Sequence, residues 1–188
     1  MRRIIYLIRE GQADPGAVEE APLSEIGVQQ ATHTAHALRD LPIRAIYCSP
    51  RLSSLETADI IALEFADIVA RPDPVLREIE QAFSPLDIDP LSPEEIPEAS
   101  DYLAQVEEAF DAYFWPGGDE EEQEVLVCHQ DMIRELICFG LGVHADSWAH
   151  MLFNHCGISC VSIEQDGTVE LVAHNDVKHL PEQLRTGS

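Results

Sequence analysis

Residues Arg3-Ile4-Ile5-Tyr6-Leu7-Ile8 form an apolar run that passes into Arg9-Glu10-Gly11-Gln12. A short run of this kind, rich in β-branched residues and closed by a glycine, reads as a buried strand that delivers Glu10 to its carboxyl end. Comparable strand signals lie at 45–48, 68–70, 125–128, 158–163 and 169–173. Helical periodicity fills the intervals. Ser24 reads as the N-cap of a first helix with Ile26, Ala31, Ala35 and Leu38 on its apolar face. A second helix is expected over about 52–65, and a third from Met132 to a stop at Gly142. Strands alternating with helices predict an α/β fold. It is a three-layer sandwich, with helices on both faces of a mainly parallel central sheet. The last two strands, joined at Asp166-Gly167, read as a hairpin. Ligands in such sheets bind beyond the carboxyl ends of the strands. Glu10, Ser49 and His129 each follow one, so three distant segments are expected to meet in one crevice.

The chain has 188 residues and is 45% hydrophobic, which supports one domain over 1–188 rather than two. Residues 80–120 differ in composition. They are rich in proline and acids, then carry a helical stretch over 99–115 ended by Pro116-Gly117-Gly118. This reads as a small helical insertion folding over the sheet edge, with Phe114 and Trp115 as its anchors. The acidic run 119–124 reads as a solvated loop. No stretch approaches the roughly 18 apolar residues of a membrane helix. The five apolar residues between Arg3 and Arg9 are too few for a signal-peptide core. Cys48, Cys128, Cys138, Cys156 and Cys160 are odd in number and mostly sit in apolar runs, the pattern of reduced thiols in a cytoplasmic protein.

The formal net charge is −24, with Lys178 the single lysine. A field of that sign disfavours nucleic acid, acidic membranes and polyanions. A local arginine cluster can still hold a small anion, because salt screens the distant charge over about 10 Å.

Several segments carry a resemblance. Pro22-Leu23-Ser24-Glu25-Ile26-Gly27-Val28-Gln29-Gln30-Ala31 is a helix start, and Cys48-Ser49-Pro50-Arg51-Leu52-Ser53-Ser54-Leu55-Glu56-Thr57-Ala58 is a strand-to-helix turn. Leu76-Arg77-Glu78, Val127-Cys128-His129-Gln130 and Asn154-His155-Cys156-Gly157-Ile158 follow in order. With Arg9-Glu10-Gly11, they resemble the histidine phosphatase (phosphoglycerate mutase-like) superfamily, in its small phosphatase branch. The resemblance implies a pocket with two phosphate-binding arginines, a nucleophilic histidine, a general acid and a second histidine. Carried over, Arg9 is the first arginine, Glu78 the acid and His129 the second histidine. Gln130 joins the ligand-binding set, and Glu80 competes with Glu78 for the acid's role. The nucleophile's position holds Glu10, and the second arginine's position holds Ser53.

Both departures act against phosphate chemistry. Imidazole attacks phosphorus because it is neutral and its phosphorylated form is reactive. A glutamate is an anion facing an incoming dianion, repelled by about 1–4 kcal/mol. Ser53 offers one neutral hydroxyl where a guanidinium would bind two oxygens. Arg51 lies two residues earlier, about 200° around if 51–53 are helical, and is expected to face elsewhere. Arg134 is expected at the surface or behind the pocket. Glu10 can pair with Arg9 or with protonated His129, and two neighbouring carboxylates can raise one another's pKa.

The resulting expectation is a family member impaired as a phosphomonoesterase that binds a small or phosphorylated ligand, or a protein partner. Two alternatives stay open: an active phosphatase or phosphotransferase using Glu10 or His129 as nucleophile, and a metal-assisted hydrolase. No cofactor and no metal is expected. The His150, His155, Cys156 and Cys160 cluster lacks the tight spacing of structural zinc sites. Cys156 and Cys160 are expected to pack on one strand face, while Glu10, His129 and His155 form a weaker metal candidate. His33 and His36 read as solvent-facing. A homodimer remains open.

Overall fold

Alternate residues of the first strand serve two cores. The computed structural model describes residues 2–17, 20–78, 96–118, 121–143 and 150–187. In β1 (Arg3–Arg9), Ile5 and Leu7 enter one core, while Ile8 enters another on the opposite face. The same division runs along β4 (Glu122–Cys128), where Leu126 and Cys128 oppose Val125 and Val127. A strand buried on both faces needs helices on both faces, and the chain supplies them. α1 (Glu25–Leu38) and α2 (Leu52–Ala62) cover one side. α3 (Ile96–Tyr113) and α4 (Gln130–Leu141) cover the other.

The remaining strands are β2 (Ile43–Cys48), β3 (Ala70–Pro72), β5 (Ile158–Ile163) and β6 (Val169–Asp176). The sheet order is β3-β2-β4-β1-β5-β6. β3, β2, β4 and β1 run parallel, while β5 pairs antiparallel with β1 and β6 antiparallel with β5, so the sheet is mixed with a parallel heart. The β5–β6 hairpin turns at Gly167, whose φ of 85° favours glycine.

Several expectations shift. The third strand lies at 70–72 instead of 68–70, because Ile68 closes a turn on Phe65 before the chain pairs with β2. α2 ends at Ala62, short of Phe65. Ser24 caps α1 by accepting the Gly27 N–H, but Ile26 is exposed. The buried stripe runs through Gly27, Gln30, Ala31, Thr34, Ala35 and Leu38. His36 is exposed, and His33 is half-buried. Gly142 adopts the left-handed conformation and ends α4 as expected.

Much of the expected loop at 119–124 is strand. Glu122 and Glu124 belong to β4. Arg3 is only 2% exposed and takes both as counterions, because a buried guanidinium needs paired charge. The ring of Trp115 lies 3.9 Å from the same guanidinium, tying the end of α3 to the sheet. Residues 79–95, which include Glu80, and residues 119–120 lie outside the described part. α3 packs on α4 and on the turn at 74–76 through Ala109 and Tyr113, whose hydroxyl donates to Asp73 at 2.6 Å. Among the described residues no helix is long and apolar enough to cross a membrane.

Candidate functional site

The parallel strands β1, β2 and β4 end side by side. Beyond them the Glu10 N–H donates to Cys128 O at 3.1 Å, and the Ser49 N–H to Val127 O at 2.9 Å. These ladder bonds bring Glu10, Ser49 and His129 together at the carboxyl edge. His129 is 3% exposed. Its Nε2 lies 2.9 Å from Ser49 Oγ, and its Nδ1 lies 3.3 Å from Glu10 Oε1. The second contact has ion-pair length but poor hydrogen-bond alignment, so Nδ1 has no hydrogen-bond partner, and neither has Glu10 Oε2. Burial pushes the Glu10 pKa up. The His129 ring at ion-pair distance and the Arg9 charge outweigh it, so the carboxyl sits below its ordinary range. No neighbouring carboxylate contributes to this balance, so the expected mutual raising of paired carboxylates does not act on Glu10.

The loop after β1 is fixed by buried polar side chains. The Gly11 N–H donates to Thr57 Oγ1 at 3.0 Å, the Gln12 N–H to Gln30 Oε1 at 2.9 Å, and the Leu23 N–H to Glu56 Oε2 at 2.7 Å. Backbone meets backbone where this loop crosses α1. A Cβ added at Gly27 would stand 2.2 Å from Gln12 O. Gln30, Glu56 and Thr57 therefore support the site without entering it. Their sequence signal was a polar side chain recurring on a helix face that should be apolar.

A cavity of about 270 Å³ opens here. Glu10, Ser53, Glu78 and His129 line it, joined by Arg51 and Glu20, with an apolar wall of Ala13, Ala17, Ala21 and Leu52. Arg51 was expected to face away. It is the N-cap of α2, with extended φ −63° and ψ 140°, so the helical rotation from 51 to 53 does not apply. Its Nη2 lies 4.0 Å from Glu78 Oε2. No pattern in the sequence pointed to Glu20.

Arg9 and Gln130 are not among the lining residues. Arg9 donates through Nη1 to Phe153 O and lies against Gly187. Gln130 opens α4. Arg134 is not a lining residue either, and is bonded to Asp131 Oδ1 at 2.7 Å and 5.6 Å from the Phe153 ring centre. His155 shares its Nδ1 with Thr186 Oγ1 at 3.0 Å, and burial and the Arg9 charge lower its pKa against the pull of Glu10. Cys156 does not share a strand face with Cys160. It precedes β5 at φ 56°, and its N–H donates to Arg9 O at 2.9 Å. Among the described residues no three His, Cys, Asp or Glu side chains group to hold a metal.

Chemically, the described residues of the site hold a histidine bonded through Nε2 and facing Glu10 through Nδ1, a buried carboxylate and the Arg51 guanidinium at the cavity wall. Ser49 is fully buried, which suits it to holding His129 and not to attacking a substrate.

Comparison with known proteins places this arrangement. The Drosophila grimshawi mitochondrial serine/threonine-protein phosphatase Pgam5 is 31% identical over 98% of this chain and 66% of its own length. The human counterpart is 28% identical over 99% of this chain and 66% of its own. The chain thus spans just under two thirds of these relatives. Among solved structures, a Plasmodium falciparum phosphoglycerate mutase is 25% identical with a TM-score of 0.67, over 97% of this chain and 96% of that one. An Entamoeba histolytica phosphoserine phosphatase in complex with 3-phosphoglyceric acid shares the fold at a TM-score of 0.73 and 20% identity, over 95% of this chain and all of that one. Residues 5–118, more than half of the chain, match the model of the histidine phosphatase superfamily, branch 1, and the chain belongs to that superfamily.

Proposed function

We propose that this protein is a histidine phosphatase-fold protein impaired as a phosphomonoesterase, acting by binding a small or phosphorylated ligand, or a protein partner, at the old active site. The observation that carries this reading is Glu10 in ion-pair contact with His129. At the position where the family resemblance calls for a nucleophilic histidine, this chain presents a carboxylate. Its pKa is held low, so it is an anion at neutral pH. An acyl phosphate formed on Glu10 would need nearby positive charge to neutralise the incoming group. His129 is a poor replacement nucleophile, because one ring nitrogen meets Ser49 and the other faces Glu10.

The relatives' name favours a second reading, an active phosphatase working on phosphorylated serine or threonine side chains of proteins with a non-standard nucleophile. A cytoplasmic location, expected from reduced thiols, also belongs to the proposal, although the curated relatives are named mitochondrial.

The test is aryl phosphate hydrolysis by the purified protein, with chelator and with added divalent metals, beside Glu10→His. Silence in the parent and turnover in Glu10→His support the binding role. Turnover in the parent that His129→Ala abolishes overturns it in favour of the enzyme, and turnover that chelator abolishes does so in favour of metal-assisted hydrolysis.

A further inference from the structure

Among the described residues lining the cavity Arg51 is the one arginine or lysine, and the local backbone explains its aim. Pro50 keeps Ser49 out of helical geometry. The Arg51 N–H donates to Ser49 Oγ at 3.3 Å, the same oxygen that meets His129 Nε2. One buried serine therefore fixes both the histidine and the backbone of the arginine. Arg51 is then extended, and the first helical bond of α2 runs from the Leu55 N–H to Arg51 O. By helix geometry the N–H groups of Leu52, Ser53 and Ser54 have no acceptor within the helix. Leu52 and Ser53 line the cavity beside Arg51, so the positive end of α2 and a guanidinium share one wall. A second observation also points to a ligand. The imidazole of His129 is 3% exposed and lines the cavity, and its Nδ1, in ion-pair contact with Glu10, completes no hydrogen bond.

We propose that Arg51 is the oxyanion-binding residue of this cavity, seating a phosphoryl group against the N-terminus of α2. It does so from the cap position, two residues ahead of Ser53, whose neutral hydroxyl cannot hold two oxygens. The inference rests on the binding role proposed above. It also identifies what opposes binding. Glu78 competes for Arg51 at 4.0 Å, and Glu10 and Glu20 add negative charge to the rim. Ligand binding therefore has to displace the Glu78 contact at Arg51.

Two substitutions should move affinity in opposite directions, which a merely structural arginine would not produce. Inorganic phosphate is titrated calorimetrically at low salt into the parent, Arg51→Gln, Arg51→Lys and Glu78→Gln, each first shown to be folded by circular dichroism. Arg51→Gln weakens binding tenfold or more, Arg51→Lys by less, and Glu78→Gln tightens it severalfold. If Glu10 repels phosphate too strongly for the parent to bind, Glu10→Gln is the background for the same series. Equal affinity with and without Arg51 overturns the proposal, as does absence of binding in Glu10→Gln. The catalytic arm uses Glu10→His, where aryl phosphate turnover should need Arg51 and should not need Ser53→Arg. Turnover that demands Ser53→Arg and ignores Arg51→Gln is contrary to it. Hydrolysis by the parent protein would instead overturn the impaired-enzyme reading, and the phosphate titration still decides Arg51.

Discussion

Replacing Glu10 with glutamine changes one charge and almost no volume, so it isolates the electrostatics of the site. Glu10 Oε1 lies 3.3 Å from His129 Nδ1. If the ring is protonated, at an effective dielectric near 20 their attraction is about 5 kcal/mol. Against this stands the desolvation of a carboxylate whose second oxygen has no hydrogen-bond partner, a cost of several kcal/mol. The lowered pKa says the ionised form wins on balance. Glutamine resembles the protonated acid, so Glu10→Gln is expected to lose the surplus, about 1–3 kcal/mol. For a domain of this size that lowers Tm by roughly 2–10 °C. The sign of the pH dependence follows. Because the folded pKa lies below the ordinary 4.5, the contribution is fully present above that value and is lost as pH falls through the folded one. Urea unfolding of both proteins should show the full gap near neutral pH and a closing gap in acid. A Glu10→Gln protein as stable as the parent at neutral pH would falsify this balance. It would mean that Glu10 is held against its own preference.

Three further outcomes test the scaffold. Gly27→Ala should cost about 3 kcal/mol by urea unfolding, because its Cβ would stand 2.2 Å from Gln12 O, whereas Gly16→Ala, facing only the Asp14 side chain at 3.3 Å, should stay within about 0.5 kcal/mol. If the two cost the same, the tight crossing of loop and helix is not as described. Leu136→Ala, at 0% exposure on α4, should lose about 2–5 kcal/mol with an unchanged denaturant slope, and a loss under 1 kcal/mol would contradict its place in the core. In native protein at mildly alkaline pH, iodoacetamide should reach only the half-buried Cys160. Burial pushes the thiols of Cys48 and Cys156 up to about 12 and that of Cys138 to about 11, and Cys128 is also pushed up and fully buried. Mass-spectrometric labelling of Cys48 or Cys128 before unfolding would count against their burial.

The layers were legible because burial on both strand faces leaves an apolar run in the sequence, as in Ile4–Ile8 and 125–128. The meeting of Glu10, Ser49 and His129 followed from strand ends alone. Side-chain aim was not legible where it depended on a single cap residue. Arg51 and Ser53 are two positions apart, and a rotation argument separates them only if both are helical. Ser49 and Pro50 place Arg51 in extended backbone, and the two side chains share a cavity. Charge pattern misled at 122–124 for the converse reason. An acidic run resembles a solvated loop until a distant arginine is known to lie beside it, and Arg3 is 119 residues away from Glu122. Glu20 left no signal, because a lone acid in a chain with 35 of them is not distinctive.

The two ends of the sheet handle buried charge differently, and that difference bears on where a ligand belongs. At one end Arg3, Glu122, Glu124 and Arg44 form a network in which each carboxylate has a guanidinium, with Trp115 laid over Arg3. Burial raises the Glu124 pKa against the opposing effect of Arg3, the balance of a pair whose desolvation is costly and whose work is structural. The first network leaves Arg3 Nε without a hydrogen-bond partner, whereas at the other end both Glu10 Oε2 and His129 Nδ1, on residues that line an open cavity, are buried without one. Unmatched groups are costly where nothing else uses them. Their concentration beside a cavity lined by Arg51 argues that this end completes its hydrogen bonding with a bound group. The chain's overall charge of −24 opposes anions at a distance, so contacts inside the cavity must supply the affinity.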